Sequence, residues 1–250
     1  MAHPVKTRAI VLKSIKWRDS SRIITLFSET AGKIKVIAHG AAREKSSFRG
    51  KIESLNLVEA VLSFSESRSL QILTEASLLD DFSRIKTDFQ RMIYGFSILE
   101  VLDHVFEEGD PDPVFFQFIT VLLHNSTESP SPERIWWYFL LKLASYLGFK
   151  PEFESCAACG RSDADTFVFV FRDGGIYCQN CRPGAGPVRL LKQEQVTFLR
   201  ELQNTKHKRI GLDDATPAPA HDFTGLLLDY LNDHVGHPLQ IQSLDLLKTK

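Results

Sequence analysis

The sequence predicts an α+β multidomain protein. An N-terminal OB-fold β-barrel spans residues 1–80, and an all-α helical domain spans 81–250, interrupted at 152–186 by an inserted four-cysteine zinc module. Three observations carry that prediction. The apolar residues recur with period two over the first part of the chain, and from Phe82 they recur with the spacing of a helix. Two Cys-x-x-Cys pairs then interrupt the helical pattern at Cys156/Cys159 and Cys178/Cys181.

The strands come first. Val5 to Lys16 is rich in β-branched and aliphatic residues, and Arg22-Ile-Ile-Thr-Leu-Phe-Ser follows the polar turn Arg18-Asp-Ser-Ser. A turn at Thr30-Ala-Gly32-Lys leads into Lys33-Ile-Lys-Val-Ile-Ala, which alternates charged and apolar side chains as a half-buried strand does. Gly40 and the charged run Arg43 to Lys51 form a long loop. Leu55 to Phe64 and Arg68 to Thr74 read as a hairpin around Ser65-Glu-Ser. Five short strands over roughly 75 residues suggest a small barrel or sandwich, with the OB-type barrel favoured.

Ile85, Phe89, Met92, Ile93, Phe96, Leu99, Leu102 and Phe106 recur at spacings of three and four and predict one amphipathic helix. Asp110-Pro-Asp-Pro opens a second helix through Val114, Phe118, Val121 and Leu122, and Asn125-Ser-Thr-Glu-Ser-Pro-Ser-Pro reads as a loop. The end of that loop caps a third helix, from about Pro132 to Leu147, with Gly148 as its stop. This helix is apolar on most sides, the mark of a buried spine. After the cysteine module, helices resume over Leu191 to Gln203 and His221 to Val235, joined by the linker Asp213-Asp-Ala-Thr-Pro-Ala-Pro-Ala.

Composition bounds the rest. The chain has 250 residues, 43% hydrophobic and 24% charged, an ordinary globular balance. No apolar run approaches the roughly 18 residues of a membrane helix, and the N-terminus has no signal-peptide core, so the expected compartment is the cytoplasm. Thiols stay reduced there, and a cysteine cluster more often means metal than disulfide. The net charge of −1 hides an asymmetry. Residues 1–51 hold 12 Lys+Arg against 3 Asp+Glu, which leaves 18 against 28 in the remainder. One end therefore suits a polyanion, while the bland alternative is a run of solvated lysines.

The cysteine spacing, Cys156-x2-Cys159, eighteen residues, Cys178-x2-Cys181, falls in the range of a four-cysteine zinc site. Phe167-Val-Phe-Val-Phe171 and Ile176-Tyr177, joined by Asp173-Gly-Gly175, read as a hairpin that brings the two knuckles together. Four thiolates complete a tetrahedron and leave no position for water, so one structural Zn2+ is expected. Redox or iron–sulfur use of the pairs is the alternative. The module is itself poor equipment for gripping phosphate. Its basic residues are Arg161, Arg172 and Arg182, against Glu152, Glu154, Asp163, Asp165 and Asp173. It is expected to staple a hairpin to the helical domain, and the polyanion to belong to the other end.

At that end the candidate DNA-binding residues are Lys13, Lys16, Arg18, Arg22, Lys33, Lys35, Arg43, Lys45, Arg49 and Lys51. Lys33 and Lys35 share one strand face, and the loop cations lie among Ser46, Ser47 and Gly50, which can also donate to phosphate. Trp17 and Phe48 are candidates for stacking on bases, with burial in the barrel as the alternative for each. Binding through phosphates is expected to be salt-sensitive and largely independent of sequence.

Three runs carry a resemblance. They are Ala9-Ile-Val-Leu-Lys, then Trp17-Arg-Asp-Ser-Ser-Arg-Ile-Ile-Thr-Leu-Phe-Ser-Glu, then Gly32-Lys-Ile-Lys-Val-Ile-Ala-His-Gly-Ala-Ala-Arg-Glu-Lys-Ser. Together they resemble the N-terminal domain of the bacterial recombination mediator family RecO. The likeness continues through Leu147-Gly-Phe-Lys-Pro151, Cys156-Ala-Ala-Cys-Gly160, Gly174-Gly-Ile-Tyr-Cys-Gln-Asn-Cys181 and, weakly, Tyr230-Leu-Asn-Asp-His-Val-Gly236. It spans nearly the whole chain, although the intervening helices match in pattern rather than in residues.

The resemblance implies an OB barrel, a helical domain, and a zinc module in members that retain the cysteines. It implies non-enzymatic work in a nucleoid-associated, cytoplasmic protein. Such a protein binds single- and double-stranded DNA and anneals complementary strands. With its partner RecR it helps RecA displace single-strand-binding protein (SSB), whose acidic C-terminal tail it grips through the helical domain. Ala42 and Glu44 occupy a stretch that is often more basic in the family, which implies a weaker grip at that loop.

An enzyme needs a site, and none assembles from the sequence. The eight histidines are dispersed, and no phosphate loop, dinucleotide turn or nucleophile elbow is present. A zinc deaminase would need an open metal position, which four cysteines argue against. No small-molecule substrate or membrane partner is expected. The alternative function is a zinc-ribbon, nucleic-acid-binding transcription or ribosome-associated factor, which has no reason to accelerate strand annealing in the presence of SSB.

Overall fold

Strand β1 (His3–Trp17) is long enough to serve two partners. Its first half pairs with β4 (Leu57–Phe64) and its second with β2 (Ser21–Ser28), both antiparallel. β3 (Gly32–Ala38) follows β2, and β5 (Gln71–Asp80) follows β4. The sheet closes in the order β1-β2-β3-β5-β4, with β3 and β5 joined in parallel through Val36/Gln71 and Ile37/Ile72. This is the five-stranded barrel of the OB fold. The structure, a computed structural model, describes residues 2–184, 186–206, 210–211, 221–236 and 238–247. The linker expected at 213–220 lies outside them.

The barrel interior follows from period-two alternation. Ala9, Val11, Ile24, Leu26, Ile34, Val36, Val58, Ala60, Leu62 and Leu73 all point inward and are almost wholly buried. A bulge between Val11 and Lys13 shifts the register of β1. Beyond it, Ser14 and Lys16 stand opposite Ile24 and Arg22 on the inner side, whereas Lys13, Ile15 and Trp17 stand on the outer side. The expected strand Arg68–Thr74 begins later and runs on to Asp80. Its second half is held by pairing with β4, as in Ala60/Ala76 and Val58/Leu78, although Leu78 and Leu79 break the alternation.

The expected single helix from Ile85 to Phe106 is two. α1 (Ser83–Thr87) ends at Asp88, which is extended, and its carboxylate accepts from the Arg91 N–H at 2.9 Å to cap α2 (Phe89–Val105). α3 (Pro113–Glu128) starts where the Asp112 carboxylate accepts from the Phe115 N–H. It continues through residues 125–128, expected as a loop, because the helix-breaking prolines act only from Pro130 onward. α4 (Pro132–Tyr146) has Pro at its first turn and closes on Gly148, as expected. Gly148 takes φ +88, the Gly148 N–H donates to Ser145 O, and the Phe149 N–H donates to Ala144 O. That pairing is a Schellman stop.

The cysteine hairpin is a three-stranded sheet. β6 (Thr166–Val170) lies between β7 (Gly175–Cys178) and β8 (Val188–Lys192), and a 3-10 turn, Gln179–Cys181, follows β7. β8 was not expected; its Leu191 reads as the start of α5 (Gln193–Asn204), which begins two residues later. α6 (Thr224–Val235) and the short α7 (Gln242–Asp245) complete the described elements.

The chain forms two compact units, Met1–Thr127 with Ile241–Lys250, and Glu128–Gln240. In the first, α2 and α3 lie over the outer side of the barrel, where Phe27 of β2 meets Phe106, Phe115 and Phe116. In the second, α4 is buried nearly all round: Trp137 sits edge-on to both Phe198 and Phe223, and Tyr138 donates to Thr205 O. No helix among the described residues is long and apolar enough to cross a membrane.

Candidate functional site

The sheet β7-β6-β8 explains how distant cysteines meet. Phe153, Phe167 and Phe169 are buried at its face, and Phe153 stacks on Phe169 with ring centres 5.4 Å apart. This packing lays the first knuckle along β7, where the Glu152 N–H donates to Gly174 O and the Ala157 N–H to Ile176 O. Gly160, at φ +73, donates to Cys156 O and turns the chain, so that Cys156 and Cys159 face the same point. Cys178 ends β7 and Cys181 ends the following 3-10 turn.

All four sulfurs lie within 4.8 Å of one another. The Cys159 and Cys178 Sγ atoms are 3.8 Å apart, far beyond a disulfide bond. It is also the edge, about 3.8 Å, of a tetrahedron with metal–sulfur bonds of about 2.3 Å. The local electrostatics match. Burial opposes ionisation of the Cys156 thiol, but the N–H groups of Cys178, Cys159 and Ala158 outweigh it and bring it down to about 6. Cys181, beside the Cys178 and Cys159 sulfurs, is pushed up to about 12. The Cys156 thiolate is thus favoured by backbone donors, while ionisation of Cys181 is disfavoured among the neighbouring sulfurs. The donor set fits a metal ion held by four sulfurs.

The second candidate is the basic arm. Ala41, Phe48 and Ile52 anchor the loop after β3 in the barrel core and throw its charged residues outward. Phe48 is 6% exposed and has no face for a base, so of the two stacking candidates Trp17, 43% exposed, stands open. Lys16, Arg22, Arg43, Arg49 and Gly50 line a groove of about 430 Å³ together with Glu44 and Glu53. Arg22 donates to Ser14 Oγ at 2.8 Å and Ser14 O at 3.1 Å, which fixes its guanidinium at the groove wall. Lys45 is exposed on the same loop and Lys51 half-buried at its end. Arg18 is exposed at the β1–β2 turn, and Lys13 is exposed on the outer side of β1.

Lys33 and Lys35 do share a face, but not the groove. Lys33 donates to Asp103 O at 2.5 Å and is largely buried, and Lys35 pairs with Glu108 at 2.5 Å. Sequence reasoning missed the support beneath the loop. Asn56 is 1% exposed, and its Nδ2 donates to Gly50 O at 2.9 Å and to Lys51 O at 2.8 Å. Its Oδ1 accepts from Lys86 of α1, whose ammonium burial pulls below the ordinary lysine range. An asparagine between two leucines was the only available signal. Of the histidines, His104 Nδ1 donates to Glu100 O, and His124 lies beside Asp80 and Phe82.

Comparison with known proteins decides the family. Residues 1–82 match the family described as "Recombination protein O N terminal", and residues 86–241 match "Recombination protein O C terminal". The chain belongs to the RecO family. The N-terminal RecO match covers all five barrel strands, and the C-terminal match takes in the cysteine sheet. Similar proteins include "DNA repair protein RecO" of Syntrophomonas wolfei, 32% identical over 203 residues, or 81% of this chain and 80% of that one. The RecO protein of Prosthecochloris aestuarii is 32% identical over 253 residues, 93% of this chain and 92% of that one. That of Desulforamulus reducens is 32% identical over 236 residues, 94% and 91% of the two chains.

Proposed function

We propose that this protein is a non-enzymatic DNA-repair and recombination mediator of the cytoplasm, associated with the nucleoid. The supporting observation is the pairing of RecO membership with a preformed cationic groove on an OB barrel. The barrel domain, residues 1–80, takes DNA backbone through Lys16, Arg22, Arg43 and Arg49, with Lys13, Arg18, Lys45 and Lys51 around it. Lys33 and Lys35 act less directly, because each already holds a partner on the α2 side. Holding two strands near one another, single or duplex, lets complementary sequences pair.

The remainder of the chain, residues 81–250, is the acidic part suited to docking proteins: RecR, and through its helices the C-terminal tail of SSB. Together these contacts would help RecA load onto SSB-coated strands. Cys156, Cys159, Cys178 and Cys181 hold one zinc ion. When bound, the ion supplies charge that lets all four sulfurs ionise, and with no open coordination position it serves the fold.

The double variant Arg43→Glu/Arg49→Glu tests the groove. Affinity for DNA, measured by anisotropy across a salt series, should fall, and the slope of log K against log salt should become shallower by about 1.5–2. Unchanged affinity and slope at low salt would remove the groove from the mechanism.

A further inference from the structure

The loop from β3 to β4 carries Arg43 and Arg49 on the groove wall, and its last two residues are held in an uncommon way. Leu55 is wholly buried at φ 76, a left-handed conformation that strains a bulky side chain and persists only where the surroundings impose it. Here they impose it from two sides. The Leu55 N–H donates to Val11 O at 2.8 Å and the Val11 N–H to Asn56 O at 2.9 Å, which stitches the loop end to β1 beside its bulge. On the other side Leu55 and Ile85 of α1 both pack onto Gly95 of α2. A Cβ at Gly95 would come within 3.0 Å of Leu55 and 2.8 Å of Ile85.

Asn56 carries this fixed point back to the groove. Its Nδ2 donates to Gly50 O and Lys51 O, so one buried side chain sets the backbone that presents Arg49. Its Oδ1 accepts from the ammonium of Lys86 on α1. A single primary amide supplies all three contacts from one planar group.

We propose that Lys86 is a positioning residue for DNA binding: acting through Asn56, it makes α1 the strut that holds the cationic loop in the shape that receives phosphate. The inference rests on the DNA-binding reading above and adds the residues that set the groove without touching DNA. Lys86 is itself badly placed to meet a phosphate. It is half-buried and engaged by Asn56, and burial pulls it below the ordinary lysine range although Asp81, Glu53 and Asp80 pull the other way. A phosphate approaching this ammonium would meet the field of those three carboxylates.

The test uses the full chain and a blunt DNA duplex, with Lys86→Met, Asn56→Leu and the two combined. Methionine keeps the apolar stem and removes the donor. Lys86→Met should weaken duplex binding about three- to tenfold, the range expected when one or two side chains must be ordered on binding. It should also speed hydrogen exchange of the loop amides of Arg49 and Lys51, which donate to Ser46 O and Phe48 O, with the unfolding temperature nearly unchanged. The double variant should lose no more affinity than Asn56→Leu alone, because Lys86 acts through Asn56. Should Asn56→Leu fail to fold, Lys86→Met in an Arg49→Ala background decides the matter, since its effect should vanish once Arg49 is gone. Additive losses in either pairing would put the Lys86 charge in direct contact with DNA and overturn the proposal. So would an affinity unmoved by Lys86→Met. If the unaltered protein did not bind the duplex at all, the DNA-binding reading itself would fail, a result distinct from a bound duplex that ignores Lys86.

Discussion

At the scale of single residues, the cysteine sheet depends on one glycine that has no freedom to change. Gly174 sits at φ +63, and a Cβ there would come within 2.6 Å of the Tyr230 hydroxyl. That hydroxyl donates to Phe149 O at 2.8 Å, and burial pushes the phenol up to about 12. Tyr230 also lies edge-on to Phe169, so the same ring fastens α6 to the sheet that carries the cysteines. Gly174→Ala therefore combines left-handed strain with loss of a buried hydrogen bond, and should lower stability by about 2–4 kcal/mol in thermal or denaturant unfolding. Gly175→Ala is the control. Its Cβ would meet Ala157 at 3.5 Å and Asp173 O at 4.0 Å, both ordinary contacts, and φ is not left-handed, so the loss should stay below about 1 kcal/mol.

At the scale of elements, the break between α1 and α2 is a physical decision made by Asp88. The apolar spacing from Ile85 to Phe106 runs straight through it, which is why periodicity alone gives one helix. The carboxylate competes with the helix by capping it, and Phe82, forced to φ 47, redirects the chain before α1. Asp88→Ala should remove the cap and cost about 1 kcal/mol, seen as a lower unfolding temperature with unchanged helix content.

The same contrast explains what else was legible. The cysteine cluster could be read because paired Cys-x-x-Cys spacings follow a rule. The barrel could be read because Ala9, Val11, Ile24 and Leu26 alternate cleanly. The third strand of the cysteine sheet could not, because Val188-Arg-Leu-Leu-Lys has no pattern apart from its partner β6. Nor could the groove. Whether Phe48 faces the core or a base, and whether Lys33 faces Asp103 or DNA, depends on tertiary contacts that sequence spacing does not encode.

At the scale of the whole molecule, the two compact units differ in what holds them together. The unit Met1–Thr127 with Ile241–Lys250 closes a barrel over an aliphatic core and needs no further staple. The unit Glu128–Gln240 contains a three-stranded sheet whose strands have only four or five residues each. Strands that short are marginal alone. Its knuckles bring four sulfurs within 4.8 Å, an arrangement that repels itself once ionised. In small zinc peptides the metal contributes an apparent 10–16 kcal/mol, as much as the whole net stability of a typical domain. Removing the ion with a strong chelator, or replacing Cys159 and Cys178 by serine, should therefore lower and broaden the calorimetric transition of the second unit. None of the four cysteines belongs to the first unit, so on the proposed reading duplex binding through its groove should persist in the same sample within about twofold. A metal-depleted protein that unfolds at its original temperature would show that packing of Phe153, Phe169 and Tyr230 suffices without the ion. Loss of duplex binding on depletion, with the barrel still folded, would place the cysteine sheet in DNA contact despite its net negative charge.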